Sequence, residues 1–201
     1  MSDYAIVEDE DPREFHSPFE LTLDSAGTQA FIWLVIGHLA YVAGLFVALS
    51  LGLENSLIWA TPLFALPLIW KTHSHRLVPK LIVLIVGVTA AHWLGTKVAT
   101  GMGTENGALM PGFAGGAIGA GASLALCWAA GLLRPGGANL VFAAFGTLLL
   151  AGVGGIGVYL YLTTGDTGGN VFEQVMQLLK IYTPWQVVFA YVLAKLLRPD
   201  G

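Results

Sequence analysis

The sequence predicts an all-α integral membrane protein, a bundle of about six transmembrane helices with an acidic N-terminal cytoplasmic tail. Three observations lead there. Ser25 to Leu53, Asn106 to Leu133 and Pro135 to Gly165 contain no Asp, Glu, Lys or Arg. Each run exceeds the roughly 20 residues a helix needs to cross a ~30 Å hydrocarbon core. The chain is 55% hydrophobic and 11% charged, with a mean hydropathy of +0.70, which leaves too few charges to cover a water-soluble surface. The net charge of −4 arises largely between Asp3 and Asp24, where Arg13 is the only basic residue. The chain therefore divides into an acidic tail over 1–27 and a helical membrane domain over 28–201.

Glu8, Asp9, Glu10 and Asp11 repel one another and are expected to stay solvated. A secretory signal begins with a basic region, and these first residues are acidic, so the first span is expected to persist in the mature protein. Ser17-Pro18-Phe19-Glu20 has the pattern of a capped helix start and predicts a short surface helix. The first span runs from about Thr28 to Gly52 and is closed by Glu54-Asn55. Leu57 to Trp70 is short for a crossing, and Pro62 and Pro67 each remove a backbone donor, so it is expected to be kinked, re-entrant or extended by its flanks. The third span is expected from Pro79 to about Thr96. A Gly-rich turn over Thr100 to Gly107 leads to Pro111 and the fourth span, ending at Arg134-Pro135-Gly136-Gly137. That turn lacks the Lys-Ser/Thr ending and preceding strand of a phosphate loop. The fifth span covers about Ala138 to Leu162.

The last segment allows two readings. Glu173, Gln177 and Lys180 form one polar stripe, which suits a helix lying on the membrane surface, with Thr183-Pro184-Trp185-Gln186 restarting a second helix. A single Pro-kinked helix from Val171 to Leu197 is the other. If both short segments cross, Lys71, Arg76, Lys80, Arg134, Lys195 and Arg198 share one side, which the positive-inside rule makes cytoplasmic. Both termini are then inside a cell (inner) membrane, with Glu54, Glu105, Asp166 and Glu173 outside and Lys97 and Lys180 snorkelling at the boundary.

Glycines recur at helical spacing inside the spans. Gly112, Gly115, Gly116 and Gly119, continued by Ser123, read as one flat face of the fourth span, and Ala40, Gly44, Ala48 and Gly52 as another in the first. Gly87, Ala91 and Gly95 repeat the device, and the fifth span crowds Gly152, Gly154, Gly155 and Gly157 together. Such faces let backbones approach closely. They serve static packing, a homo-oligomer contact or other membrane subunits, or they line a path for a small solute.

The ionisable groups inside spans reduce to His38 and His92. With no acidic residue in mid-membrane, a carboxylate relay for protons or sodium is not expected. Two imidazoles at similar depth fit axial ligation of a b-type haem; the plainer reading is local hydrogen bonding that holds helices together. His16, His73 and His75 are weak candidates for a metal site, opposed by neighbouring basic residues, and binding of anionic lipid headgroups suits that loop better. Cys127 is the only cysteine, so no intrachain disulfide can form. No Ser-His-Asp set, His-Glu-x-x-His helix, Cys pair or Rossmann signal is present, so an enzyme is the lesser expectation. The functional expectation is small-solute or ion transport, or a Gly-packed subunit of a membrane assembly. Its alternative is a membrane redox protein with haem b between His38 and His92. The lipid bilayer is the expected partner and nucleic acid is not.

Overall fold

The computed structural model describes residues 22–71, 77–105, 107–164 and 169–198. The acidic block, the surface helix expected at Ser17–Glu20, and His16, His73 and His75 lie outside them. The described residues form six helical segments and no strand. These are α1 (Ser25–Ser50), α2 (Ser56–Lys71), α3, α4 (Met110–Ala129), α5 (Gly137–Thr164) and α6 (Val171–Leu196). Within α3 a short turn at Leu77–Lys80 passes into π-helix at Leu81–Gly87 and then α-helix at Val88–Met102. α1, α3 from Leu81, α4 and α5 are long and apolar enough to cross a membrane. Large apolar side chains face outward on them, Leu39, Val86, Trp128 and Leu148 among others, a surface suited to lipid.

Local chemistry sets the helix ends. Asp24 caps α1 by accepting a 2.6 Å bond from Gly27 N–H, so this helix begins at Ser25, earlier than the expected Thr28. Gly52 closes α1 in the left-handed region at φ +65, with Gly52 N–H donating to Leu49 O and Leu53 N–H to Ala48 O. Gly131 at φ +69 closes α4 in the same way, Gly131 N–H donating to Trp128 O and Leu132 N–H to Cys127 O. The fourth span therefore stops at Ala129, short of the Arg134-Pro135 boundary the sequence suggests. α3 continues beyond the expected Thr96 to Met102, so the Gly-rich turn begins only at Gly103, φ +62.

Pro62 and Pro67 both lie inside one continuous α2, which rises only ~24 Å. The surface-helix reading of the last segment is corrected: α6 is one helix with Pro184 inside it, and it starts from a reciprocal capping box between Asn170 and Glu173. Two members of its polar stripe, Glu173 and Lys180, have side-chain hydrogen bonds, while Gln177 Oε1 has no partner among the described residues. Glu173 is used by the cap, and Lys180 Nζ donates to Thr164 Oγ1 at 2.8 Å.

Each helix packs on the next in sequence, and α6 returns to pack on α1, closing a circuit. A ring of six cylinders leaves room at its centre. Tyr41 from α1, Phe64 from α2, Leu84 from α3, Leu124 from α4, and Trp185 and Phe189 from α6 fill much of it. At one end of the bundle, Arg134 after α4 forms an ion pair with Asp24 and donates from Nε to Leu197 O at 2.9 Å. Arg198 Nε reciprocates to Leu133 O at 2.9 Å, across an isolated antiparallel bridge between Leu133 and Leu197. Lys195 Nζ donates to Thr22 O. The start of α1 and the ends of α4 and α6 are thus tied together.

Glycines set the spacing between helices, though not as a single face. A Cβ on Gly95 would lie 2.5 Å from Gly115 O, and one on Gly115 2.6 Å from Gly95 O, so α3 and α4 meet backbone to backbone. Gly112 and Gly116 turn instead to α5: a Cβ on Gly154 would lie 2.6 Å from Gly112 O, and one on Gly116 2.7 Å from Leu150 O. The ridge expected on one face of α4 thus serves two neighbours. Gly37, which the sequence pattern did not mark, makes the tightest approach of α1 to α2, against the Phe64 carbonyl, while Gly44 faces the Leu63 side chain. Gly52 belongs to the turn, and nothing lies within 4 Å of a Cβ on Gly152.

Gly116→Ala is expected to cost about 1–3 kcal/mol through overpacking. Gly152→Ala should instead gain about 0.5–1 kcal/mol, because a helical glycine is replaced without a clash. Denaturant titration in detergent checks both. The terminal ion pair makes a further prediction. Partial burial pushes the Asp24 pKa up, but the hydrogen bonds from Arg134 and Gly27 and the charges of Arg134 and Lys195 outweigh it, holding the carboxyl below its ordinary 3.8. Its contribution to stability is complete above pH 3.8 and is lost as pH falls through the lowered value. With the Asp24 side chain 40% exposed the effect is modest. Asp24→Asn should flatten this acid-side loss in a melting-temperature series run downward from neutral pH.

Candidate functional site

The polar groups of the bundle interior converge on α6. Tyr182, Trp185 and Phe189 follow one another at helical spacing along its inward face and are all buried. Trp185 and Phe189 stack with ring centroids 5.1 Å apart and planes 12° from parallel. Pro184, placed between Tyr182 and Trp185, has no N–H to give the Lys180 carbonyl four residues earlier. That carbonyl faces Gly157 of α5, where a Cβ would lie 3.2 Å from Lys180 O and 2.9 Å from Ile181 Cα. The glycine admits the disturbed turn.

His38 and His92 meet α6 separately. His38 Nδ1 is 2.7 Å from Gln186 Oε1, a buried bond between α1 and α6, and its ring lies parallel to Tyr41 at 6.2 Å. His92 packs on Tyr182 at 5.1 Å and Trp185 at 5.7 Å. Tyr41 and Tyr182 are 6.1 Å apart, so the rings His38, Tyr41, Tyr182 and His92 form one contiguous series. A haem ligated by both histidines would require that series to part and His38 to exchange its hydrogen bond. The arrangement is a packed set of rings and offers no open slot.

Next to this series lies a chamber of 320 Å³ between α3, α4, α5 and α6. Its floor is His92, Tyr182 and Trp185; its walls include Gly95, Gly112, Gly115, Gly116, Gly119 and Gly154, and Thr100, Gly103 and Thr104 lie at its exposed end. From His92 to Thr100 the chamber follows α3 for ~12 Å. No residue lining it carries a formal charge other than through His92. The hydroxyls of Thr96 and Thr100 donate to the backbone, to His92 O and Thr96 O at 3.0 Å each. By contrast, His92 Nε2, Trp185 Nε1, Tyr41 Oη and Gln177 Oε1 are buried without a hydrogen-bond partner among the described residues.

His92, Thr96 and Thr100 also line a second cavity of 190 Å³ toward α2, together with Asn55, Trp93 and Lys97. Lys97 sits 5.7 Å over the Trp93 ring. One stripe of α3 therefore separates the two spaces.

Of the residues singled out in the sequence, the structure gathers His92, Gly112, Gly115, Gly116 and Gly119 around the chamber. Gly44 serves the α1–α2 contact, Gly155 packs near Leu109 O and Phe113, and Gly152 meets open space. Among the described residues no cluster of His, Cys, Asp or Glu could hold a metal. Tyr182, Trp185 and Gln186 are the functional candidates that sequence reasoning missed. The available signal was an aromatic i, i+3, i+7 series spanning a proline, in a helix whose polar residues had been read as facing water.

His38→Phe and Gln186→Leu should each weaken the bundle, and the double variant should reveal a coupling of about 1 kcal/mol in an unfolding cycle; additivity would contradict the bond. Compared with protein-family models, curated proteins and solved structures, the chain matches none.

Proposed function

We propose that the chain is a multi-pass cell-membrane protein that admits a small, uncharged solute into the chamber between α3 and α6, acting as a carrier or solute-binding component. The single observation that carries this reading is the chamber itself, lined by His92, Tyr182, Trp185 and bare glycine backbone with no carboxylate or ammonium. A volume of 320 Å³ lies at the small end of the about 300–1,000 Å³ typical of small-molecule sites. The second cavity beyond the His92–Thr96–Thr100 stripe supports passage over static packing. So does the use of the glycines: Gly95, Gly112, Gly115, Gly116 and Gly154 are engaged inside the chain, which leaves little of the ridge to join other subunits.

In this reading all six segments cross. The tie between the start of α1 and the ends of α4 and α6 supports an even number of passes between them. It also gathers Arg134, Lys195 and Arg198 at one end, the cytoplasmic end by the positive-inside rule. α6, at 26 residues, is ~39 Å long, which is enough to span; Glu173 and Gln174 lie in its first turn, and Gln186 is buried against His38. The exposed end of the chamber at Thr104 then faces outward.

Native mass spectrometry of protein released from its own membrane tests the proposal. A Cβ on Gly119 meets only ordinary contacts, Trp185 Cζ2 at 3.6 Å and Ala91 O at 3.8 Å, so a larger side chain there fills the chamber at modest cost to packing. Wild-type protein should retain a small non-lipid adduct that Gly119→Leu lacks. Wild-type spectra free of such an adduct, under conditions that keep lipids attached, would count against it.

A further inference from the structure

We propose that a groove between α4 and α5, at the Arg134 end of the bundle, holds a phospholipid of net negative charge, with an acyl chain along its apolar walls and the phosphate beside Arg134. The groove has a volume of 250 Å³ and shares no lining residue with the chamber, so it stands apart from the solute reading. The two helices separate here. Gly112 and Gly116 bring α4 against the α5 backbone, but a Cβ on Gly121 would meet only Thr147 Cγ2, at 3.4 Å. From that level toward Arg134, Gly121, Ala125 and Trp128 of α4 and Leu140, Ala144 and Thr147 of α5 form the walls, with buried Leu196 of α6 behind them. Both triplets recur at helical spacing, one face of each helix, and run for ~10 Å. Ala125, Trp128, Leu140 and Ala144 are exposed, so the groove opens sideways onto the surface that meets lipid. A space of this volume admits an acyl chain and not a helix about 10–12 Å across.

One end of the groove is charged. Arg134 and Asn139 line it, and Arg198 donates to the carbonyl oxygen of Leu133, which lines it too. With Lys195, bonded to Thr22 O, Arg134 and Arg198 set three cations against the one carboxylate of Asp24 at this end, among the described residues. Arg134 gives Nε to Leu197 O and Nη2 to Asp24, while its Nη1 has no partner among the described residues and its side chain stays 29% exposed. An anionic phosphate therefore meets surplus positive charge at the point where its acyl chain meets apolar wall, the pattern of a basic lipid pocket between transmembrane helices. A zwitterionic lipid brings its own cation to the same place and gains less.

Native mass spectrometry of full-length, delipidated protein in detergent tests this, with phosphatidylglycerol and phosphatidylcholine of identical acyl chains titrated in turn. The first phosphatidylglycerol should bind on the order of tenfold more tightly than the first phosphatidylcholine. Glycerol 3-phosphate, the headgroup chemistry without chains, should not bind detectably; binding as tight as the lipid's would overturn the role of the groove. Ala144→Phe fills the groove from an exposed position and leaves the Arg134 contacts in place, so it should lower phosphatidylglycerol affinity about tenfold, while Leu148→Phe, exposed on α5 outside the groove, should leave it within about twofold. Arg134→Gln should bring the two lipids to within about twofold of each other. If that variant fails to fold, Ala144→Phe against Leu148→Phe still decides. Equal binding of the two lipids to wild type would overturn the charge assignment, and a preference that survives Ala144→Phe would place the anionic lipid elsewhere and overturn the site.

Discussion

Side-chain-free backbone, Gly95 against Gly115 and Gly112 against Gly154, holds α4 tightly between α3 and α5, and the interior depends on that spacing. In lipid there is little hydrophobic drive between helices, so association relies on contacts that only a close approach permits. The same approach generates the chamber. Because α4 turns glycines to both neighbours, the wall it shows to the centre at Gly119 is also bare, and Trp185 packs toward it at the edge of the chamber. Larger residues along this ridge would push the three helices apart or fill the gap.

α6 completes the arrangement from the opposite side. It is the least expected of the interior helices, since Glu173, Gln177, Lys180 and Gln186 interrupt its apolar pattern. Each of those that the fold engages is answered by a particular partner: Asn170 for Glu173, Thr164 for Lys180 and His38 for Gln186. Its far end is fixed by the Leu133–Leu197 bridge and the reciprocal arginine contacts of Arg134 and Arg198. The helix is thereby held at both ends and at mid-height. Its Pro184 turn, accommodated by Gly157, aims Tyr182 and Trp185 at His92.

What was legible in the sequence follows from which interactions are local. Charge-free runs state length and apolarity directly, and four of the helices emerge near their expected positions. The glycine spacing of α4 is also visible, but spacing does not say which neighbour each glycine meets, so one expected face became two. Gly131 was overlooked as a helix stop because apolar residues continue past it to Arg134; its role lies in a left-handed φ that hydropathy does not register. The polar stripe of α6 read as water-facing because its partners are distant in sequence or lie on the preceding turn. The chamber was the least legible feature: it is made of side chains that four separate helices lack. His92 could be marked as buried and polar, yet the rings it packs against, Tyr182 and Trp185, are supplied by another helix.

Paired cysteines across the α3–α4 seam test the account most directly. A Cβ at Gly115 would lie 2.9 Å from Ala99 Cβ and 2.6 Å from Gly95 O, so the seam must open slightly to admit one, which brings the pair toward the about 3.5–4.5 Å of a disulfide; both residues line the chamber. In a Cys127→Ala background, Ala99→Cys with Gly115→Cys should lose both free thiols on mild oxidation in native membranes, read by a thiol-labelling mass shift. Ala99→Cys with Gly152→Cys should keep both. If the first pair stayed reduced under conditions that oxidise an accessible dithiol, α3 and α4 would not meet at this seam, and the chamber would fall with it.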